Sequence, residues 1–342
     1  MEEQQWQPWC ERPSGLVVPT AIDPTGVSGP TRGQAAGPRF RQTSPGRYVR
    51  STAPELVEQR ILEQAHRLHR YGAVTAWASL RWRGAHFFDG HDAAGSVRPV
   101  PLVGHKLRPD RRVHLTQDQL APSEFVVVDG IPCTTVQRAL FDEVRRLGSW
   151  REAVVAIDMT AAAGLISVRL FAAYVAERPA WTGVPFVRKA LPWAIDESRS
   201  PQETRMRLVW VEDAGLPPPL CNQPVFDLDG NLLGLPDLFD PAAGCVGEYD
   251  GVDHKDGRRH QRDVAREARF RDHGLEYFEV VGGDLRNRAM VAERMRNARA
   301  RAKFLPPESC AWTLQPPAWY LVPESLDERL IRLGLADSLC ST

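Results

Sequence analysis

Apolar positions change their spacing several times along the chain, and each change marks a predicted element. In APELVEQRILEQAHRLH, residues 53–69, Leu56, Ile61, Leu62, Ala65 and Leu68 recur near a helical period, and a second helix over 74–82 follows Gly72. From 98 to 132 the spacing turns strand-like in RPVPLVGHKL, RRVHL and EFVVVDGIP, separated by turn residues. Helical spacing resumes over 135–147 and 150–164, and 184–194 is a further helical stretch. The segment RPAWTGVP, 178–185, reads as a break between two halves.

Beyond that break, SPQETRMRLVWVEDAG carries start and stop signals. Ser200 is an N-cap, Pro201 opens the first turn, Glu203 stands at N3, and Gly215 follows the end. Strands are predicted over 223–227 and 232–239 with Asp229-Gly230 as the turn, then over Cys245–Asp250 after a Pro241 to Gly244 turn. A charged helix over 259–273, a strand over 275–282 and a basic helix over 284–303 complete an αβββαβα order. The expected organisation is therefore an α/β (α+β) multidomain chain. Its parts are 1–50, largely irregular with a basic wing; 51–180, mixed α/β; 196–304, the αβββαβα core; and 305–342, a Pro-rich tail with a short amphipathic segment, SLDERLIRLGL.

Composition narrows the function classes. Lys plus Arg and Asp plus Glu number 43 each in 342 residues, so net charge names no partner and only local clusters can. No apolar run approaches the roughly 18 residues a membrane helix requires, and MEEQQWQPWCERPSG lacks a basic start and an apolar signal core, which gives a cytoplasmic expectation and no membrane partner. Six scattered cysteines form no CxxC pair and suggest neither a zinc knuckle nor a disulfide framework. His66 and His69 have metal-like spacing without a third ligand and read as structural.

The informative stretch is GCVGEYDGVDH, 244–254. Alternation along a strand puts Val246, Glu248 and Asp250 on one face, and the short turn before it folds Asp237 onto the neighbouring strand. Carboxylates gathered in this way repel one another unless they hold a proton or a cation, and Mg²⁺ takes one or two of them while filling its shell with water and phosphate. Each residue also has an ordinary reading: Glu203 as the acid of a capping box, Asp237 as a turn carboxylate, Glu248 and Asp250 as an exposed strand face, His254 as a structural histidine, and Asp263 with Arg266 as an intrahelical ion pair. The helix over 284–303 carries Arg286, Arg288, Arg294, Arg296, Arg299, Arg301 and Lys303, a basic face suited to phosphates.

The order helix-Glu, Pro-Asp, Glu-x-acid, helix resembles the PD-(D/E)XK restriction-endonuclease-like superfamily. Within it, Glu248, Asp250, Gly251 and His254 followed by Asp263 and Arg266 are similar to the very-short-patch-repair-like branch, a likeness covering roughly residues 196–304. The resemblance implies Mg²⁺- or Mn²⁺-dependent hydrolysis of DNA. In it, Asp237 and Glu248 hold the metal, Glu203 is an accessory ligand or base, and Asp250 joins the acidic centre. His254 orients or deprotonates water, or protonates the leaving oxygen, and Arg266, Arg286, Arg288 and Arg294 contact nucleic acid. One departure stands out: Asp250 occupies the place where this family keeps a catalytic lysine, and Lys255 is a nearby substitute. Residues 25–175 resemble AbiEi-type antitoxin regions, with GPRFRQTSPGRYV as the wing of a degenerate winged helix, whose Arg39, Arg41 and Arg47 suggest a second DNA contact. The alternative is a catalytically inactive nucleic-acid-binding or antitoxin-like regulatory protein on the same fold.

Overall fold

A computed structural model describes residues 13–251 and 257–335, with backbone alone for 257–264. Its contacts divide the chain into two units, one running to Gly148 and resuming over Ala173–Val187, the other comprising Ser149–Ala172 and everything from Arg188.

In the first unit a four-residue helix α1 (Arg32–Ala35) precedes the hairpin of β1 (Phe40–Ser44) and β2 (Arg47–Arg50). It continues with α2 (Val57–Ala65), β3 (Ala73–Val74), α3 (Ala76–Trp82), β4 (Val100–Val103), β5 (Val113–Thr116), β6 (Phe125–Val128), β7 (Ile131–Thr134) and α4 (Val136–Val144). Five strands form one mixed sheet in the order β5-β4-β3-β7-β6. Residues 40–50, read from the sequence as a basic wing, form a hairpin. Among the described residues, however, α1 is the only helix before it, too short for the helix-turn-helix a winged helix requires. Arg41 is also committed, its guanidinium paired with Glu63 of α2.

The second unit opens with α5 (Trp150–Ala162), a helix with nine consecutive buried residues. Sequence spacing assigned it to the region before the break. Its Asp158, however, accepts from Thr204 and Arg207 of a later helix, and this buried network ties it to the C-terminal unit. The chain passes to the first unit within α6 (Val168–Ala176), which the spacing missed, and returns within α7 (Val184–Ala190); α8 (Pro201–Leu208) follows and runs on as a π turn over Val209–Asp213. Next come β8 (Val225–Asp227), β9 (Leu232–Gly234), β10 (Leu238–Asp240), β11 (Cys245–Asp250), α9 (Gly257–Asp272), β12 (Glu276–Val281), α10 (Arg288–Arg301), β13 (Trp312–Thr313) and α11 (Leu326–Arg332).

The element order departs from αβββαβα at one point. The strand expected over 232–239 is two strands in two sheets: β9 pairs with β8, while β10 pairs with β11. Pro236 lies between them and has no N–H to offer a ladder, so the chain leaves one sheet there and enters the other. The tail is not separate either, because β13 adds to β8.

The sheet β10-β11-β12 is antiparallel at its first pair and parallel at its second. Both faces are covered. On one, Leu238, Cys245, Phe278 and Val280 pack against Met206 and Trp210 of the α8 helix and Met295 of α10. On the other, Phe239, Val246 and Tyr277 pack with Phe270 of α9. Phe278 stacks on Trp210 with centroids 5.7 Å apart, and its ring fills the slot above Gly247, where an added Cβ would lie 2.2 Å from Cζ. Four cysteines, Cys133, Cys221, Cys245 and Cys310, are buried free thiols.

Candidate functional site

The site is built where β10 and β11 begin to diverge. Gly244, at φ 72°, closes the turn between them, a left-handed conformation that glycine adopts without strain. The register pairs Leu238 with Gly247, and its next step sets Asp237 across from Glu248. Asp237 stands in the bend before β10, and its Oδ2 accepts from the backbone N–H of Tyr249 at 2.8 Å. The hairpin thus brings together the two acids singled out from the sequence.

Glu203 arrives from α8. Ser200 accepts from the Glu203 N–H, which is half of a capping box, but the Glu203 carboxylate does not return to the cap residue. Its Oε2 accepts instead from the Arg199 N–H at 2.9 Å and from Asn222 Nδ2 at 2.8 Å. Asn222 itself sits at φ 53°, a left-handed position asparagine tolerates, and its N–H donates to Pro236 O. Residues 220–222 run beside β10 through the Leu220–Phe239 bridge, so Asn222 ties Glu203 to the segment that carries Asp237. The sequence reading missed Asn222; an Asn between two predicted elements was the available signal.

The electrostatics follow from this arrangement. Burial, together with the negative charge of Glu203, pushes the Asp237 carboxyl up to about 7, against the opposing pull of the Tyr249 N–H and Arg266. Glu248 is 4% exposed, and its Oε2 lies 3.0 Å from Nη2 of Arg266. Arg266 was expected either in an intrahelical pair or on a phosphate. It reaches from α9 onto the covered face of the sheet and pairs with a strand carboxylate. Helical position 266 and strand position 248 meet only because α9 crosses that face.

Other expected members are placed elsewhere. Asp250 ends β11 at an exposed position, beyond the enclosed part of the strand. His254 and Lys255, and the side chain of Asp263, lie outside the described residues. On α10 the basic face is largely matched by carboxylates of its own unit: Arg294 pairs with Asp284 at 2.6 Å, Arg299 with Asp240 and Arg301 with Glu276 at 2.7 Å each. Arg288 lies 3.7 Å from Asp213, and Arg286 is exposed.

Among the described residues no group of three or more His, Cys, Asp or Glu side chains is arranged to hold a metal ion. Two carboxylates are nevertheless the number Mg²⁺ takes from many proteins, and a buried carboxyl raised by a like-charged neighbour is relieved by a cation. Asp237 and Glu248 supply that number, with one Glu248 oxygen paired with Arg266 and one Asp237 oxygen bound by Tyr249 N–H, and Glu203 is engaged by two N–H donors. No helix among the described residues is long and apolar enough to cross a membrane. Comparison with protein-family models, curated proteins and solved structures returned no match.

Proposed function

We propose that the C-terminal unit is a Mg²⁺-dependent DNA endonuclease centred on Asp237 and Glu248, on a restriction-endonuclease-like core. The observation that carries this reading is the Asp237 carboxyl, set across β10 and β11 from Glu248 and raised to about 7 beside Glu203. Asp237 and Glu248 are the residues that would hold the metal. When bound, Mg²⁺ supplies a more acidic water and neutralises charge on the scissile phosphate. A bound cation would favour the ionised form of Asp237, whose orientation Tyr249 N–H fixes, and Glu203 sustains the negative field there. Arg266, already on Glu248, is placed to offset charge at the same carboxylate.

The test is cleavage of plasmid, single-stranded and structured DNA with Mg²⁺ or Mn²⁺. Cleavage that falls by roughly a hundredfold or more in Asp237→Ala and Glu248→Ala is expected. Absence of cleavage, or cleavage unchanged in both variants, sinks the reading. A second reading, a non-catalytic nucleic-acid-binding or antitoxin-like regulatory protein, is favoured by the Glu248–Arg266 ion pair and by Asp250 in the lysine position. It predicts DNA binding in EDTA with no stabilisation by Mg²⁺, since a ligand stabilises only a fold that binds it.

A further inference from the structure

A second place in the C-terminal unit is built for charge of the opposite sign. A cavity of about 260 Å³ opens between the first turn of α5, the last turns of α8 and the start of α10. Arg151, Arg205 and Arg288 line it with Glu152, over an apolar floor that includes Leu208 and Leu285.

The guanidiniums are not fully matched. Arg205 spends its Nε and Nη2 on the two oxygens of Glu152, at 3.0 and 2.7 Å, which neutralises that acid. Arg151 donates through Nη2 to Asp213 at 2.9 Å, but its Nη1 is buried and has no partner. Arg288 shares the same Asp213 at 3.7 Å, beyond hydrogen-bond length, and is half exposed. The three guanidiniums thus share two directly paired carboxylates, Glu152 and Asp213, with the charge of Glu212 also acting on Arg151. Burial lowers the Arg151 pKa and the Arg288 charge adds to this, while Asp213 and Glu212 pull it back only in part.

The backbone adds to this. Ser149, the N-cap of α5, also lines the cavity, and its side chain makes no capping hydrogen bond. Helices of 13 and 14 residues both start here, and their N-terminal ends carry partial positive charge.

We infer that this cavity is a binding pocket for a phosphate group, gripped by Arg151 and Arg288 and flanked by the α5 N-terminus. The inference does not depend on cleavage at Asp237 and Glu248. Free phosphate and the phosphate of a nucleic-acid strand share the chemistry the pocket recognises, planar guanidinium forks against tetrahedral oxygens.

The test measures thermal stabilisation and calorimetric affinity of the full chain for inorganic phosphate, against KCl at matched ionic strength. Short oligonucleotides with and without a 5′-phosphate are compared in parallel. Phosphate is expected to stabilise beyond KCl, and its affinity to weaken roughly tenfold or more in Arg151→Gln and Arg288→Gln, the loss of a charge-assisted hydrogen bond. Arg288, half exposed, gives the variant that keeps its fold if Arg151→Gln does not. Tighter binding of the 5′-phosphorylated oligonucleotide assigns the pocket to a strand end, and equal binding of both oligonucleotides assigns it to free phosphate. No phosphate-specific stabilisation of the native chain, or affinity unchanged in Arg288→Gln, overturns the inference.

Discussion

Asp158 and Asp237 are both acids of the C-terminal unit, and loss of solvent raises the pKa of each. Their surroundings differ in sign. Asp158 is fully enclosed and accepts from the Ile195 N–H, from Thr204 Oγ1 and from Arg207 Nη2, the last at 2.6 Å. Asp237 is half-buried, accepts from Tyr249 N–H, and faces the negative charge of Glu203. The first is a carboxylate whose charge the fold has answered. The second keeps a charge that the fold leaves for something else to answer, and this separates a structural acid from a site acid better than burial does.

The comparison breaks most visibly on stability. Asp158→Ala strands Arg207, 6% exposed, without its counter-ion, and is expected to destabilise by about 3–5 kcal/mol in urea or thermal unfolding. Asp237→Ala at pH 8 should cost far less, because it also removes the repulsion with Glu203. Equal losses would erase the distinction.

The pH dependence sharpens it. The folded chain holds a proton on Asp237 up to about pH 7, whereas the unfolded chain releases it near the ordinary value of 3.8. Stability from this group is therefore fully present below pH 4 and is lost as pH rises towards 7 and beyond. At ~1.4 kcal/mol per unit, the loss is on the order of 2–4 kcal/mol. Asp237→Asn cannot titrate, keeps an acceptor for Tyr249 N–H, and should flatten this part of the stability profile measured from pH 4 to 8. An unchanged slope would assign the proton to another group.

Gly247 gives a control that damages the sheet without touching either acid. A methyl group there meets the Phe278 ring, so Gly247→Ala is expected to cost about 1–3 kcal/mol through overpacking and to disturb the Trp210–Phe278 stack, visible in near-ultraviolet circular dichroism. Its pH profile should keep the native slope. A flattened slope would mean that Asp237 responds to any loosening of the sheet.

Part of this was legible in the sequence because it is local. Ser200 caps α8, Gly215 takes φ 66° just past its end, and the short turn before Cys245 sets Asp237 against Glu248. Strand alternation also places Glu248 with Val246 on the face that α9 covers. What the pattern could not carry is pairing between distant segments. Nothing near 232–239 says that its two ends belong to different sheets, nor that β13 (Trp312–Thr313), far later in the chain, completes the first of them. Arg266 likewise has an acid three residues away in sequence, yet it pairs with Glu248, 18 residues upstream and reached across the sheet face. A buried polar partner of that kind follows from how elements cross, and helical spacing holds no trace of it.

The smallest effect tests the strut between the two acids of the site. Asn222 holds Glu203 by one Nδ2–H and Glu197 O by the same amide, at 2.8 and 2.9 Å, while its backbone occupies φ 53°. Glycine adopts that conformation freely, so Asn222→Gly removes the side chain and leaves the turn intact. The expected cost is about 1 kcal/mol, the net worth of such bonds, read from chemical denaturation at pH 8. A cost near zero would mean that neither amide bond holds this corner of the site, and Glu203 would then reach the field of Asp237 without being held there.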